Sequence, residues 1–195
     1  MENKSVKRLA SILRMLVLFT FVVNLMCFLL VPGLAAMLLE GGPEYVLHYL
    51  IEEVANGYAA HTLGHVAMYF AIACGGVWYR VETAFVTVFF WVCGTCTALI
   101  LWQAKRVLDT ILAEEPFQMS NALALKRAAN CCWIISGGAL VRLILWFWWD
   151  GTIYPLFTYT ALFIPAFFMA GLLFMVMSAL FRQAAELKED QDLTI

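Results

Sequence analysis

The 195-residue chain is 64% hydrophobic and only 13% charged, with a net charge of −2. A soluble domain is about half apolar and about a quarter charged, so this composition excludes an ordinary water-soluble fold. The small net charge, without a large basic patch, argues against direct nucleic-acid binding. The apolar residues come in long blocks rather than in alternating segments. This pattern predicts membrane-spanning α-helices, which need about 20 apolar residues each.

Four of these blocks are long enough to cross a bilayer. The first lies at about residues 9–31, and Pro32-Gly33 is expected to end it. It follows a basic N-terminus but is too long for a cleaved signal peptide, so we interpret it as an uncleaved anchor. The other three blocks lie at about residues 83–103, 131–149 and 157–181.

A further apolar stretch, Leu63–Tyr79, lies in the segment between the first two spans, residues 40–82. If it were a span, the chain would cross five times and the bases from Lys105 to Arg127 would lie outside the cell. Basic residues favour the cytoplasmic side of a membrane. Four spans therefore fit the charges better, and the stretch becomes an external helix that is either interfacial or re-entrant.

The sequence thus predicts one all-α domain over residues 1–195, an integral membrane four-helix bundle with both termini in the cytoplasm. The extra external helix would lie between spans one and two. The cytoplasmic parts would be the N-terminus, a loop at 104–130 and a tail at 182–195.

Within the loop, Pro116 is expected to end a helix that continues from the second span, because proline lacks an amide donor. The next helix is expected to start at Ser120, which is a better N-terminal cap than Gln118.

Two segments carry a resemblance to a known family. A Pro-Phe pair followed by an asparagine and a base precedes the third span, and an acidic helix closes with Asp-Leu-Thr and an aliphatic residue. The positions are Pro116, Phe117, Asn121, Leu125 and Arg127, then Glu186, Leu187, Asp192, Leu193, Thr194 and Ile195. From the second span to the C-terminus, the chain resembles the bacterial family called domain of unknown function 2975. The resemblance implies a small four-span protein of the bacterial plasma membrane, with a small cytoplasmic helix-turn-helix regulator as a candidate partner.

The loop and the tail are both expected at the inner membrane face, where the basic loop could pair with the acidic tail. Two interpretations stay open: a docking platform for a cytoplasmic partner, and a self-contained cap that holds the bundle together. In the cap, an apolar stripe of the tail would pack on the loop. The stripe is Leu180, Ala184 and Leu187, and its expected contacts are Leu123, Leu125 or Phe117.

Arg142 lies inside the third span. A charge there is costly and is by default a hypothesis for a functional site, with Asn24 or Glu82 as its expected partner. The alternative is that the long side chain extends outward to the lipid headgroups.

His61 and His65 are one helical turn apart, which makes them weak candidates for a metal or haem site. Interfacial histidines without a metal are the default interpretation. Cys93 and Cys96 have a redox spacing, but they lie near the bilayer midplane among small residues, which favours helix packing. We therefore predict no metal and no cofactor.

No nucleophile–base pair, phosphate-binding glycine loop or metal cluster stands out in the sequence. The predicted function is non-enzymatic: a membrane sensor, regulatory or immunity-type factor that uses the loop and the tail. The alternative is a small transporter or ligand-binding bundle with Arg142 at a polar intramembrane site. A homodimer is also considered, because four spans alone bury limited area.

Overall fold

The computed structural model describes residues 2–40, 81–151 and 159–192, and the isolated positions Glu52, Gly64, Ala67, Cys74 and Trp78. These ranges form four helices: α1 Glu2–Glu40, α2 Val81–Leu112, α3 Met119–Asp150 and α4 Tyr159–Asp192. All four are long and apolar enough to cross a membrane. The prediction of an all-α protein with four such helices is confirmed. Apart from Gly64, Ala67, Cys74 and Trp78, the predicted external helix at 63–79 lies outside the described residues, as do His61 and His65.

The helices are longer than the bilayer requires. They contain 32 to 39 residues, which at about 1.5 Å per residue gives about 48–58 Å, against a hydrocarbon layer of about 30 Å. Each helix therefore continues beyond the hydrocarbon layer. The predicted loop at 104–130 is mostly helical, and only residues 113–118 interrupt the helices.

The expectation that Pro32-Gly33 ends the first helix is wrong. α1 continues through Pro32 to Glu40. The rule that proline ends a helix comes from soluble proteins, where a freed carbonyl is readily hydrated. Membrane helices tolerate proline because neighbouring groups and local backbone adjustments satisfy the freed carbonyl.

α3 and α4 pack side by side and run antiparallel. Their contacts recur every seven residues, and positions fall by seven in α4 as they rise by seven in α3. The contacting pairs are Ala122 with Ser178, Ala129 with Gly171, and Ser136 with Ile164. A seven-residue repeat is the period at which two helices stay in contact while supercoiling gently around each other.

Small residues and two hydroxyls make this contact close. Ser178 Oγ donates to the carbonyl oxygen of Ala122 at 2.7 Å, and Ser136 Oγ donates to that of Ile164 at 2.9 Å. Between them, Gly171 lies against the Trp133 ring. An added Cβ would overlap that ring and lie 3.3 Å from the Ala129 carbonyl oxygen. Small residues of this kind bring membrane helices together, because lipid provides no hydrophobic driving force.

α2 contacts α3 through a cluster of small apolar side chains. Cys96, Cys131 and Ile135 form its buried centre, and Cys93 packs against them. All six cysteines are free thiols. Cys93 and Cys96 thus occupy a helix–helix contact.

The chain divides into two compact units: residues 1–25 with 93–195, and residues 26–92. In the first unit α1 contacts α2 through the rings of Phe21 and Trp102, whose centroids are 6.1 Å apart. The second unit contains an aromatic cluster in which Phe28 stacks on Trp91 at 6.0 Å and Trp78 lies 6.1 Å from Trp91.

We expect Gly171→Ala to destabilise the protein by about 1–3 kcal/mol, the usual cost of overpacking a close contact. Trp133 and the Ala129 carbonyl leave no room for the added methyl group. Thermal unfolding of the purified protein in detergent measures this. Gly137→Ala is the matched control, because a Cβ at Gly137 meets nothing within 4 Å. Equal melting temperatures for the two variants would contradict the close contact.

Candidate functional site

α2 ends in a left-handed turn at Glu114, whose φ is 64°. The amide of Glu115 donates to the Thr110 carbonyl oxygen at 3.0 Å, and the amide of Glu114 donates to that of Ile111 at 3.2 Å. This is the Schellman arrangement, which satisfies the last carbonyls of a helix. Glycine is the usual residue at the left-handed position, because a Cβ there costs about 1–2 kcal/mol. The helix therefore ends before Pro116 is reached.

The end of α2, the connecting segment and the start of α3 form a helical hairpin, residues 105–127. The buried side-chain amide of Asn121 joins its two sides. Asn121 is 1% exposed. Its Nδ2 donates to Thr110 Oγ1 and to the Pro116 carbonyl oxygen, both at 2.7 Å. The Thr110 hydroxyl in turn donates to the carbonyl oxygen of Val107 at 2.8 Å. One side chain thus links the end of α2, the connecting segment and the start of α3.

The prediction that Ser120 caps α3 is wrong. The N-cap is Gln118, with extended backbone angles and no side-chain capping bond. Its Nε2 instead donates to Glu115 Oε2 at 2.7 Å, and Ser120 Oγ donates to Gln118 Oε1 at 3.2 Å. The hydrogen bond from Asn121 to Pro116 fixes the path of the connecting segment, so residue 118 takes the N-cap position of α3.

α4 continues beyond the transmembrane contact and packs on the hairpin. The rings of Phe117 and Phe181 are 6.1 Å apart. Ser178 forms its hydrogen bond with Ala122, the residue directly after Asn121. Seven residues further along α4, Ala185 is buried, with only 2% of its surface exposed. Phe117 does contact α4, but its partner is Phe181 at the end of the fourth span rather than a residue of the predicted stripe.

The apolar stripe predicted on the tail is the wrong face. Leu180 and Leu187 are 53% and 63% exposed, and Leu123 is 51% exposed. The packed face is shifted by about one residue and uses Ser178, Phe181 and Ala185. The prediction placed two leucines in the contact, whereas the close approach of the helices buries the small side chains of Ser178 and Ala185.

Ion pairs join α1 to the end of α2. Lys7 pairs with Glu114, and Arg14 Nε lies 2.8 Å from Asp109 Oδ1. Lys105 Nζ binds the other oxygen of Asp109 at 2.9 Å. These contacts were not predicted. The seven-residue spacing of Lys7, Arg14 and Phe21 was the signal for a common face of α1.

The predicted pairing of the basic loop with the acidic tail does not occur among the described residues. Arg182 of the tail pairs with Glu186 of the tail, Nε to Oε1 at 2.8 Å. Lys126 and Arg127 are exposed, and no ion pair joins them to a described carboxylate. The side chain of Asp192 and the whole of Thr194 lie outside the described residues.

Arg142 is partly buried, and its guanidinium lies over the ring of Trp146, 5.6 Å from the centroid. Trp146 is one turn closer to the C-terminal end of α3. This is a favourable cation–π geometry. Asn24 is half-exposed and forms no described hydrogen bond with Arg142, and the side chain of Glu82 lies outside the described residues.

The described parts of the chain hold no group of three or more residues suited to a metal.

Asn121→Ala should lower the free energy of unfolding by about 1–3 kcal/mol, because the Pro116 carbonyl and the Thr110 hydroxyl lose a buried donor. Asn121→Asp should cost more, because a carboxylate cannot donate and its charge would be buried. Thermal unfolding in detergent measures both. Asn130→Ala is the matched control, since Asn130 is an exposed asparagine of the same helix. A loss as large at Asn130 as at Asn121 would contradict the network.

Glu114→Gly should be more stable than Glu114→Ala by about 1 kcal/mol, because glycine adopts the left-handed turn without strain. Both variants lose the pair with Lys7. That hydrogen bond and charge hold the pKa of the Glu114 carboxyl below its usual value, so its stabilisation is present above the ordinary glutamate pKa of about 4.3 and is lost as pH falls through the lower folded value. Melting temperatures between pH 7 and pH 3 measure both effects, and identical melting temperatures for the two variants would contradict the strain.

Comparison with known proteins gives one match. The model of the family described as "Protein of unknown function (DUF2975)" matches residues 52–195, a segment that contains α2, α3, α4 and the whole hairpin. No curated protein matches the chain, and no solved structure matches it. The resemblance noted from the Pro-Phe, asparagine and terminal motifs is thereby confirmed, and the chain belongs to the DUF2975 family.

Proposed function

We propose that this multi-pass membrane protein lies in the bacterial plasma membrane with both termini in the cytoplasm. It acts there without enzymatic chemistry, as a sensor, regulatory or immunity-type factor. Its docking surface is the cap, which we define as residues 105–127 and 181–192. Its candidate partner is a small helix-turn-helix regulator in the cytoplasm.

The observation that carries this proposal is that the cap is folded rather than a loose connection. Asn121 joins the hairpin internally, and the Phe117–Phe181 contact joins it to α4. A surface held in one conformation loses less entropy when a partner binds. The bases of the cap support the cytoplasmic orientation, because basic residues favour that side of the membrane.

The cap presents exposed side chains of both polarities. Arg127 is exposed on α3, and Glu186 and Glu189 are exposed on α4. Phe117 and Leu187 expose 49% and 63% of their surface beside these charges. An acidic tail suits a DNA-binding regulator, whose surface is basic, because complementary potentials favour association. The regulator itself is suggested by the family resemblance.

Co-expression with a tagged helix-turn-helix regulator and purification in detergent tests the proposal. The full chain should co-purify with the regulator. Truncation after Lys188 should weaken the association at least tenfold, because it removes the acidic side chains of Glu189, Asp190 and Asp192, whereas Arg127→Glu tests whether the exposed base of the hairpin also takes part. Arg8→Glu is the matched control: it makes the same charge change at an exposed residue of α1, and should leave the association within about twofold of the wild type.

Failure of the wild-type chain to co-purify would remove the docking function, and equal loss in Arg8→Glu would show diffuse charge attraction instead. A reporter fused after Ile195, and a second beside Met119, fix the orientation independently. Labelling of either reporter in intact cells would contradict the proposed topology. Thermal unfolding of each variant separates loss of docking from loss of folding.

A further inference from the structure

Two adjacent bases on α3, Lys126 and Arg127, are exposed and have no carboxylate partner among the described residues. α3 itself offers none, because it contains no acidic residue from Met119 to Trp149. Four other bases on the same side of the bundle are paired with carboxylates, whereas Arg8, Arg106 and Lys188 are exposed. The four paired bases are Lys7, Arg14, Lys105 and Arg182.

The length of α3 places this basic pair at a membrane boundary. Lys126 and Trp148 are 148 − 126 = 22 residues apart, which is about 33 Å of helix and close to the thickness of the hydrocarbon layer. Trp148 is 87% exposed, and exposed tryptophans favour the headgroup layer. If Trp148 marks one headgroup layer, Lys126 and Arg127 lie in the other.

α2 gives the same depth independently. Cys96 of α2 packs with Cys131 of α3 in the core. Trp102 lies six residues beyond Cys96, and Lys126 lies five residues before Cys131, so in antiparallel helices the two are within about 2 Å of the same level. Trp102 is 49% exposed, as expected for an aromatic residue at the interface.

We propose that Lys126 and Arg127 bind the phosphate of an anionic phospholipid, with phosphatidylglycerol as the probe. An arginine guanidinium can form two parallel bonds to phosphate oxygens, and a lysine ammonium adds a compact charge at the same depth. Ile134, 52% exposed on the membrane side of the pair, offers apolar surface to the acyl chains. The depth favours lipid over an acidic protein segment. The site depends on the placement of the third span and not on the docking function.

The test uses the full-length protein in micelles of a neutral detergent, titrated with phosphatidylglycerol or with phosphatidylcholine. Native mass spectrometry counts the bound lipids, and thermal unfolding reports their effect. The wild type should prefer phosphatidylglycerol and gain stability from it. Each base at a membrane surface contributes about fivefold in affinity, so Lys126→Gln/Arg127→Gln should weaken phosphatidylglycerol binding about 25-fold.

Two further double variants make the test specific. Arg8→Gln/Lys188→Gln removes the same charge from exposed positions of α1 and α4, and should bind within about twofold of the wild type. Lys126→Arg/Arg127→Lys keeps the charge and should retain binding, which separates loss of the site from misfolding. No preference for phosphatidylglycerol, or equal weakening in the Arg8/Lys188 variant, would overturn the proposal. Unchanged lipid binding in Lys126→Gln/Arg127→Gln, with loss of the regulator, would assign the pair to protein docking and also overturn it.

Discussion

The rest of the structure depends on the close antiparallel contact between α3 and α4. In lipid, two apolar helices gain nothing by hiding from the solvent, so their association needs atomic contact and hydrogen bonds. The Gly171 backbone supplies the contact against Trp133. Ser136 and Ser178 supply the bonds at its two ends. The hydroxyls donate to carbonyls of the neighbouring helix, so they fix the position of one helix along the other.

This contact also determines the geometry of the cap. The Ser178 bond ends on Ala122, the residue directly after Asn121, and Phe181 lies one turn further along α4, against Phe117. A movement of α4 along α3 would break the first contact and separate the second. The hairpin and the transmembrane contact are therefore one mechanical unit. Asn121 completes it by holding the end of α2 to the same point.

The spans were predictable because transfer into lipid is roughly additive over residues, so a run of apolar side chains is enough to identify them. The importance of Pro116, Phe117 and Asn121 was visible from the family resemblance. What Asn121 binds was not, because its acceptor Thr110 lies on the preceding helix and becomes a neighbour only after the chain reverses. The buried face of the tail was missed by one residue for a similar reason. It is decided by the shape of α3 rather than by the hydrophobicity of α4.

The sequence contained one signal for the contact between α3 and α4. Small residues recur every seven positions in each of these two segments. Ala122, Ala129 and Ser136 have this spacing in α3, and Gly171, Ser178 and Ala185 have it in α4. Neither series stands out by hydrophobicity, since alanine, serine and glycine contribute little to it. The observed register pairs Ala122 with Ser178 and Ala129 with Gly171, and one heptad further Ser136 bonds to Ile164. Composition thus identifies membrane helices, whereas the placement of the smallest residues identifies which helices touch.

Cationic side chains towards both ends of α3 restrict its position along the membrane normal. Arg142 places its guanidinium over the ring of Trp146, one turn nearer the C-terminal end of the helix, and its long stem allows the charge to reach out of the hydrocarbon layer. Lys126 and Arg127 lie at the opposite end and remain exposed. Sliding α3 along the membrane normal in either direction would draw one of these charges inward, at a cost of about 2.5–3.5 kcal/mol for a base at the centre. An exposed ion pair contributes only about 0–1 kcal/mol, so we expect the bases of α3, rather than the ion pairs of α1, to set the depth of the bundle in the bilayer.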